Sequence, residues 1–217
     1  MSRRVRALWS VGGLVVVVLT VAVVAVDGPL AGEVAFIRWL QDFGEPVPTF
    51  ADVVRATTGT EGNLVVGVPA AAWLIRRHGR AGMLAVSICL VSMLLVQPLS
   101  KELVDRDRPS SAEVEVRAEH SSRSYPSGHS LSTATTWGAA ALYASRLGRR
   151  RLATALAIPI ACTAVASGIH GVHWASDAVA GTIVGGAAAW WAIGRVTAPM
   201  GRAAGSPALR SGRVAGC

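Results

Sequence analysis

The chain has 217 residues, of which 52% are hydrophobic and only 16% charged; a soluble domain carries about a quarter charged residues, so much of this surface is built to meet lipid. The net charge is +8, but the basic residues sit in short clusters between apolar runs, with no stripe that interleaves them with aromatics, which argues against a nucleic-acid face. Three cysteines, Cys89, Cys162 and Cys217, are odd in number and widely spaced, which leaves no disulfide framework and no zinc pattern.

Residues 7–26 carry no charge and include the run LVVVVLTVAVVAV. The stretch matches the ~20 residues that cross ~30 Å of hydrocarbon. It exceeds the ~7–15 residues of a signal peptide's apolar core, so an uncleaved anchor is expected despite the basic Arg3, Arg4 and Arg6. Residues 27–61 are acidic, with scattered apolar residues and Pro46 and Pro48. They read either as a linker or as a helix lying on the membrane surface. Five more apolar runs follow, at 62–75, 81–99, 130–145, 152–169 and 178–194. Small residues crowd the last one (GTIVGGAAAWW), which lets helix backbones approach closely. The expected fold is all-α, a polytopic membrane protein with six transmembrane helices over residues 1–198. From Pro199 to Cys217 the Gly, Ala, Ser and Arg composition reads as a disordered cytoplasmic tail.

Charge placement supports the six-span count independently. With six spans, the clusters around Arg3–Arg6, Arg76–Arg80 and Arg146–Arg151 and the arginines from Arg195 onward share one side. All 13 carboxylates fall on the other. The positive-inside rule puts both termini in the cytoplasm and the acidic loops outside. His120, His129, His170 and His173 then belong to the outer half, while His78 reads as a solvated residue of the inner basic loop.

Three segments at outer helix ends carry chemistry: KELVDRDRP (101–109), YPSGHS (125–130) and HGVHWASD (170–177). Arg108 offers a planar fork for phosphate oxygens and Lys101 a point charge. Lys101 is the only lysine among 21 basic residues, which marks a position where an ammonium is wanted. Ser127 brings a hydroxyl, and Gly128 lets backbone N–H groups reach an anion. His129 and His173 titrate near neutrality. Asp177 follows His173 by four residues, which at a helix start places both on one face. A carboxylate on one imidazole nitrogen leaves the other free to attack. Anion cradle, acid and oriented nucleophile describe phosphoryl transfer.

These segments resemble the three-part signature of the type-2 phosphatidic acid phosphatases, whose site is shared with vanadium haloperoxidases: K-x6-R-P, then P-S-G-H, then S-R-x5-H-x3-D. Lys101, Arg108 and Pro109 complete the first part, and Pro126, Ser127, Gly128 and His129 the second; His173 and Asp177 remain of the third. The resemblance implies a hydrolase of lipid phosphates in a bacterial plasma membrane, with its active site extracytoplasmic. His173 would be the nucleophile that forms a phosphohistidine, Asp177 its orienter and His129 the acid. Lys101, Arg108, Ser127 and Gly128 would bind phosphate, with no metal or other cofactor. Undecaprenyl diphosphate, phosphatidic acid, phosphatidylglycerol phosphate and polyprenyl phosphosugars all suit such a site.

One departure stands out. The family's Ser-Arg pair falls at 166 and 167, where this chain has Ala166 and Ser167. Losing that arginine's contact with phosphate costs on the order of 2–3 kcal/mol if nothing compensates. Three readings follow: another cation substitutes, with Arg123 and His170 nearest; the enzyme is slow or takes an unusual substrate; or the protein binds or transports lipid phosphates without hydrolysing them. A metal-dependent hydrolase with zinc on His170, His173 and Asp177 is a further alternative, opposed by the nearby cations. An intramembrane protease built on Ser167 lacks a partner histidine within another span.

Overall fold

The computed structural model describes residues 3–26, 28–44, 46–118 and 121–203. His120 and residues 204–217 lie outside this set. Among the described residues there are helices and no strands. Helix α1 is Arg3–Ala25. Two short helices follow, α2 (Glu33–Gln41) and α3 (Val47–Thr58). Helix α4 is Thr60–His78. Helix α5 (Arg80–Val91) continues through a wide π-helical turn, Ser92–Val96, into α6 (Gln97–Val104). Then come α7 (Gly128–Arg146), α8 (Arg150–Ile169) and α9 (Ala175–Ala203).

The apolar runs of the sequence therefore appear as long helices. Among the described residues, three stretches are long and apolar enough to cross a membrane by length and composition: Arg80–Val104, Arg150–Ile169 and Ala175–Thr197. Ser10–Ala25 is a shorter apolar helix. Large apolar side chains cover much of the outer surface of the helices, and several hydroxyl groups are buried. Leu14, Val65, Leu94, Leu95 and Leu103 are exposed, whereas Thr58, Thr133, Thr135, Thr163 and Asp177 are buried. Apolar patches of this extent mark contact with lipid or partners. The last helix runs on past Pro199 to Ala203, further than the expected tail boundary.

Two local devices place the working residues. Pro98 has no N–H and its ring crowds the carbonyl of Leu94, and the wide turn at Ser92–Val96 absorbs this misfit. Helix α6 then ends as Asp105 adopts a left-handed conformation, φ 53°, with its N–H on the Lys101 carbonyl at 3.0 Å. The second device is the turn between α8 and α9. Gly171 has φ 62°, and a Cβ there would press into the Glu115 carbonyl oxygen, so only glycine fits.

Segment 27–61 is neither a plain linker nor one surface helix but the pair α2 and α3. The inner face of α3, with Ala51 and Val54, packs with Leu40 of α2 onto Ala166 and Ile169 of α8. Helix α2 exposes Phe36 and Trp39, which stack at 5.9 Å, and the exposed Phe43 just beyond the helix meets Trp39 edge-on at 4.9 Å. Its Gln41 amide donates to the carbonyls of Glu115 (2.7 Å) and Ile169 (3.0 Å), clamping the long 105–127 loop over α8. His78 is not simply solvated: its Nε2 lies 3.0 Å from the Tyr143 hydroxyl.

Helices α7 and α9 approach each other closely. Cβ atoms on Gly181 or Gly185 would run into the backbone of Ser127 and Leu131, respectively. Gly186, one residue on, has nothing within 4 Å of such a Cβ. The pair of substitutions Gly185→Ala and Gly186→Ala therefore separates packing from helix propensity. Gly185→Ala is expected to lower the thermal stability of the detergent-purified protein by about 1–3 kcal/mol through overpacking. Gly186→Ala is expected to be neutral or to stabilise by up to about 1 kcal/mol. Melting curves of the two variants beside the wild type check both.

Candidate active site

The end of α6, the starts of α7 and α9 and the end of α8 meet at one end of the bundle, opposite the Arg76–Arg80 and Arg146–Arg151 clusters. They enclose a cavity of about 150 Å³. Lys101, Arg108, Gly128, His129, His170 and His173 line it, with Arg55 and Thr58 of α3 and Ser167 of α8.

Asp177 is the anchor of this end. It stands at the third position of α9 and accepts the Trp174 N–H at 2.9 Å, closing the helix start as the acidic member of a capping box does. The same oxygen accepts the Ser124 hydroxyl. The other oxygen accepts Arg106 Nη1 at 2.6 Å. Arg106 is itself buried and bridges outward to Glu33 Oε2 at 2.5 Å, and Glu33 Oε1 accepts the Ser176 N–H at 2.9 Å. A cation held between two carboxylates thus ties α2, the 105–127 loop and α9 together out of contact with water.

His173 sits just before α9 rather than on its face; the cap, not helical periodicity, brings it to Asp177. Its Nδ1 is 3.6 Å from Asp177 Oδ2 and 3.4 Å from the Ser124 hydroxyl. Its Nε2 is 3.2 Å from Arg108 Nη1. A guanidinium can only donate, so Nε2 is the acceptor and the ring proton belongs on Nδ1, toward Asp177. Burial pushes His173 down to about 4, against the pull of Asp177. The imidazole is therefore neutral across the physiological range, with the lone pair of Nε2 at the cavity wall.

The two cations are aimed by main chain. Lys101 Nζ donates to Ser122 Oγ at 3.0 Å and the Arg123 carbonyl at 2.6 Å. Arg108 donates to the carbonyls of Ser122 (2.7 Å) and Val172 (2.6 Å) and to Ser122 Oγ (3.1 Å). Burial and the charge of Arg55 lower the Arg108 pKa, opposed by Asp177. Gly128 opens α7, where the first N–H groups point out of the helix and favour an anion. A Cβ on it would meet Gln97 Nε2 at 2.7 Å. His129 Nε2 is 3.4 Å from the Thr58 hydroxyl.

Three expected residues are placed otherwise. Ser127 is fully buried and lies outside the cavity lining; its Oγ caps α7 by accepting the Ser130 N–H at 3.3 Å. Arg123 pairs with Asp105 and Asp107 at the half-exposed surface and also lies outside the lining, so it does not replace the missing arginine. His170 does line the cavity, but burial lowers its pKa, which keeps it neutral, and its Nε2 turns to Asp52 at 3.4 Å. Among the described residues no three His, Cys, Asp or Glu side chains are grouped to hold a metal. His170 and His173 instead face different carboxylates, Asp52 and Asp177.

Sequence reasoning missed Arg106, Glu33, Ser124 and Arg55. Arg106 lies two residues before Arg108 in DRDRP, and that doubled arginine was the available signal. Glu33, Ser124 and Arg55 belong to no motif, and Glu33 and Ser124 find Arg106, Ser176 and Asp177 only across long stretches of sequence.

The sequence profile of the PAP2 superfamily matches residues 81–199, more than half of the chain. This protein belongs to the PAP2 superfamily. No curated protein matches it by sequence. Its fold is similar to the crystal structure of a transmembrane PAP2-type phosphatidylglycerolphosphate phosphatase from Bacillus subtilis, with a TM-score of 0.72 at 17% identity, covering 86% of this chain and 94% of that one.

The Arg106 bridge makes a contrast that melting curves can measure. Arg106→Ala leaves Glu33 and Asp177 as buried carboxylates without their cation and is expected to cost about 3–5 kcal/mol. Arg123→Ala removes only partly exposed pairs and is expected to cost less than about 1 kcal/mol.

Proposed function

Starting from membership of the PAP2 superfamily, we propose that this protein is a membrane phosphatase that hydrolyses a lipid phosphate or polyprenyl diphosphate through a phosphohistidine on His173. The observation that carries the reading is the placement of a neutral His173, backed by Asp177, with Nε2 at a cavity lined by Lys101 and Arg108.

The proposed steps use this geometry. A phosphate seated between Arg108 and His173 takes over the Arg108 Nη1 donor and frees the Nε2 lone pair. Nε2 attacks phosphorus, the bond from phosphorus to the lipid oxygen breaks, and His129 gives that oxygen a proton. The Nδ1 proton stays directed at Asp177, which stabilises the positive charge gained by the ring. Water then attacks phosphorus, His129 takes its proton, the P–N bond breaks and inorganic phosphate leaves. Lys101, Arg108 and the Gly128 backbone hold the charge that builds on the equatorial oxygens, a preorganised electrostatic term worth several kcal/mol.

Two features support a lipid substrate in a membrane setting. An apolar groove of about 650 Å³ begins at Thr60 and Asn63 beside the cavity and runs down α4 and α7 to Leu147. Asn63 also donates to Ser132, the residue that bonds the His129 carbonyl. At the other end Arg146 stacks on Trp190 and Arg195 on Trp191, at 5.2 and 4.9 Å. Basic and aromatic residues of this kind settle at a cytoplasmic interface. On this reading α1, α4, α5 with α6, α7, α8 and α9 are six spans of a bacterial plasma membrane, both termini are cytoplasmic, and the cavity opens to the outside.

Phosphate release by the detergent-purified protein from a panel of lipid phosphates tests the proposal. Release is expected to persist in chelator and to fall by at least about 10³-fold in His173→Ala, because the nucleophile is gone. Undiminished turnover by His173→Ala would sink the mechanism. Specific binding of these lipids with no release from any of them would favour a binding or transport protein.

A further inference from the structure

We infer that Arg55, from a helix outside the three motif segments, takes the place of the arginine missing at position 167 and grips the reacting phosphate opposite Lys101 and Arg108. The inference rests on the phosphatase reading for the identity of the ligand, but its geometry stands apart from it.

Helix α3 lies against α8 through Val54, which packs with Ala166 and Ile169. The next residue, Arg55, is thereby delivered to the same cavity wall as Ser167, and both line the cavity with Lys101, Arg108 and His173. Ser167 cannot reach an anion there: its side chain is short, and its hydroxyl is committed to the Thr163 carbonyl at 2.9 Å. The position that carries an arginine in the family signature is thus occupied by a small residue, at a cavity to which a second helix brings an arginine.

Arg55 also acts electrostatically on this space. Its charge depresses the pKa of both Arg108 and His170. Like charges held around one small cavity repel each other, and an anion seated among them relieves that repulsion. Arg123 is spent on Asp105 and Asp107, and His170 is neutral, so neither supplies a third cation to this cavity. The guanidinium of Arg55 offers the planar two-donor fork that suits phosphate oxygens, which an ammonium would not reproduce.

Orthovanadate, which mimics the transferred phosphoryl group, is the probe. Its affinity and the kcat/KM for the best lipid are measured for wild type, Arg55→Ala, Arg55→Lys and the double variant Arg55→Ala with Ser167→Arg, with melting curves to confirm folding. Arg55→Ala is expected to weaken vanadate and lower kcat/KM by about 100-fold, as loss of one oxyanion donor does. Arg55→Lys is expected to recover only part of this, and the double variant at least about tenfold over Arg55→Ala, because it restores the same fork from α8. Unchanged vanadate affinity in folded Arg55→Ala or Arg55→Lys would overturn the inference, as would a folded double variant no better than Arg55→Ala. Vanadate binding that depends on Arg55, in a protein that releases no phosphate from any lipid, would uphold Arg55 as the anion ligand while removing the phosphatase reading.

Discussion

Asp177 carries a full charge where no water reaches it, and the site end of the bundle is organised around making that tolerable. A lone buried carboxylate would take up a proton rather than pay its desolvation. Here the Arg106 guanidinium, the Ser124 hydroxyl and the Trp174 N–H all donate to it, and Glu33 holds Arg106 from behind. Those donors come from the loop before α7 and from the start of α9, and Glu33 comes from α2. Folding around one carboxylate therefore fixes the relative placement of three segments far apart in the chain. His173, four residues before Asp177, inherits its orientation from this arrangement.

The rest of the molecule serves that placement from below. Helices α7 and α9 approach closely enough for Gly181 and Gly185 to touch the backbone of α7, which keeps the PSGH segment within reach of the HGVHWASD segment; the Ser127 N–H donates to the Asp177 carbonyl at 3.0 Å. Among helices in lipid, such close packing does the work that apolar burial does in water. Apolar side chains are turned outward and hydroxyls inward for the same reason, since in lipid it is the polar groups that need a protein partner. The cavity then sits where the helices end, with charged groups drawn from their termini and loops rather than from their middles.

Much of this was legible in the sequence because helices in lipid leave long uninterrupted apolar runs. The runs 81–99 and 152–169 predicted α5 with α6 and α8 to within a few residues, and Lys101, Arg108, Gly128, His129 and His173 meet at one cavity as their motifs imply. The short helices α2 and α3 were not resolved, because their apolar residues are few and interrupted by prolines and acids. The pairing of Glu33 with Arg106 and the place of Arg55 in the cavity wall were invisible for a different reason: each depends on segments brought close only by tertiary packing. Arg123 and His170 show the converse situation. Both stand near the motifs in sequence, but Arg123 is drawn off by Asp105 and Asp107, and burial neutralises His170. Ser127, read as a phosphate ligand, is instead the cap that starts α7, a role open to any serine at a helix start.

The central claim is that His173 becomes covalently phosphorylated, and the most direct measurement is to trap that species. The purified protein is mixed with a lipid carrying a labelled phosphate and quenched in alkali within one turnover, and the labelled peptide is identified. The account predicts a label that is stable to base, labile to acid and confined to the peptide containing His173, and it predicts no label in His173→Ala. Rapid phosphate release with no protein-bound label at any quench time, or a label carried by another residue, would contradict it.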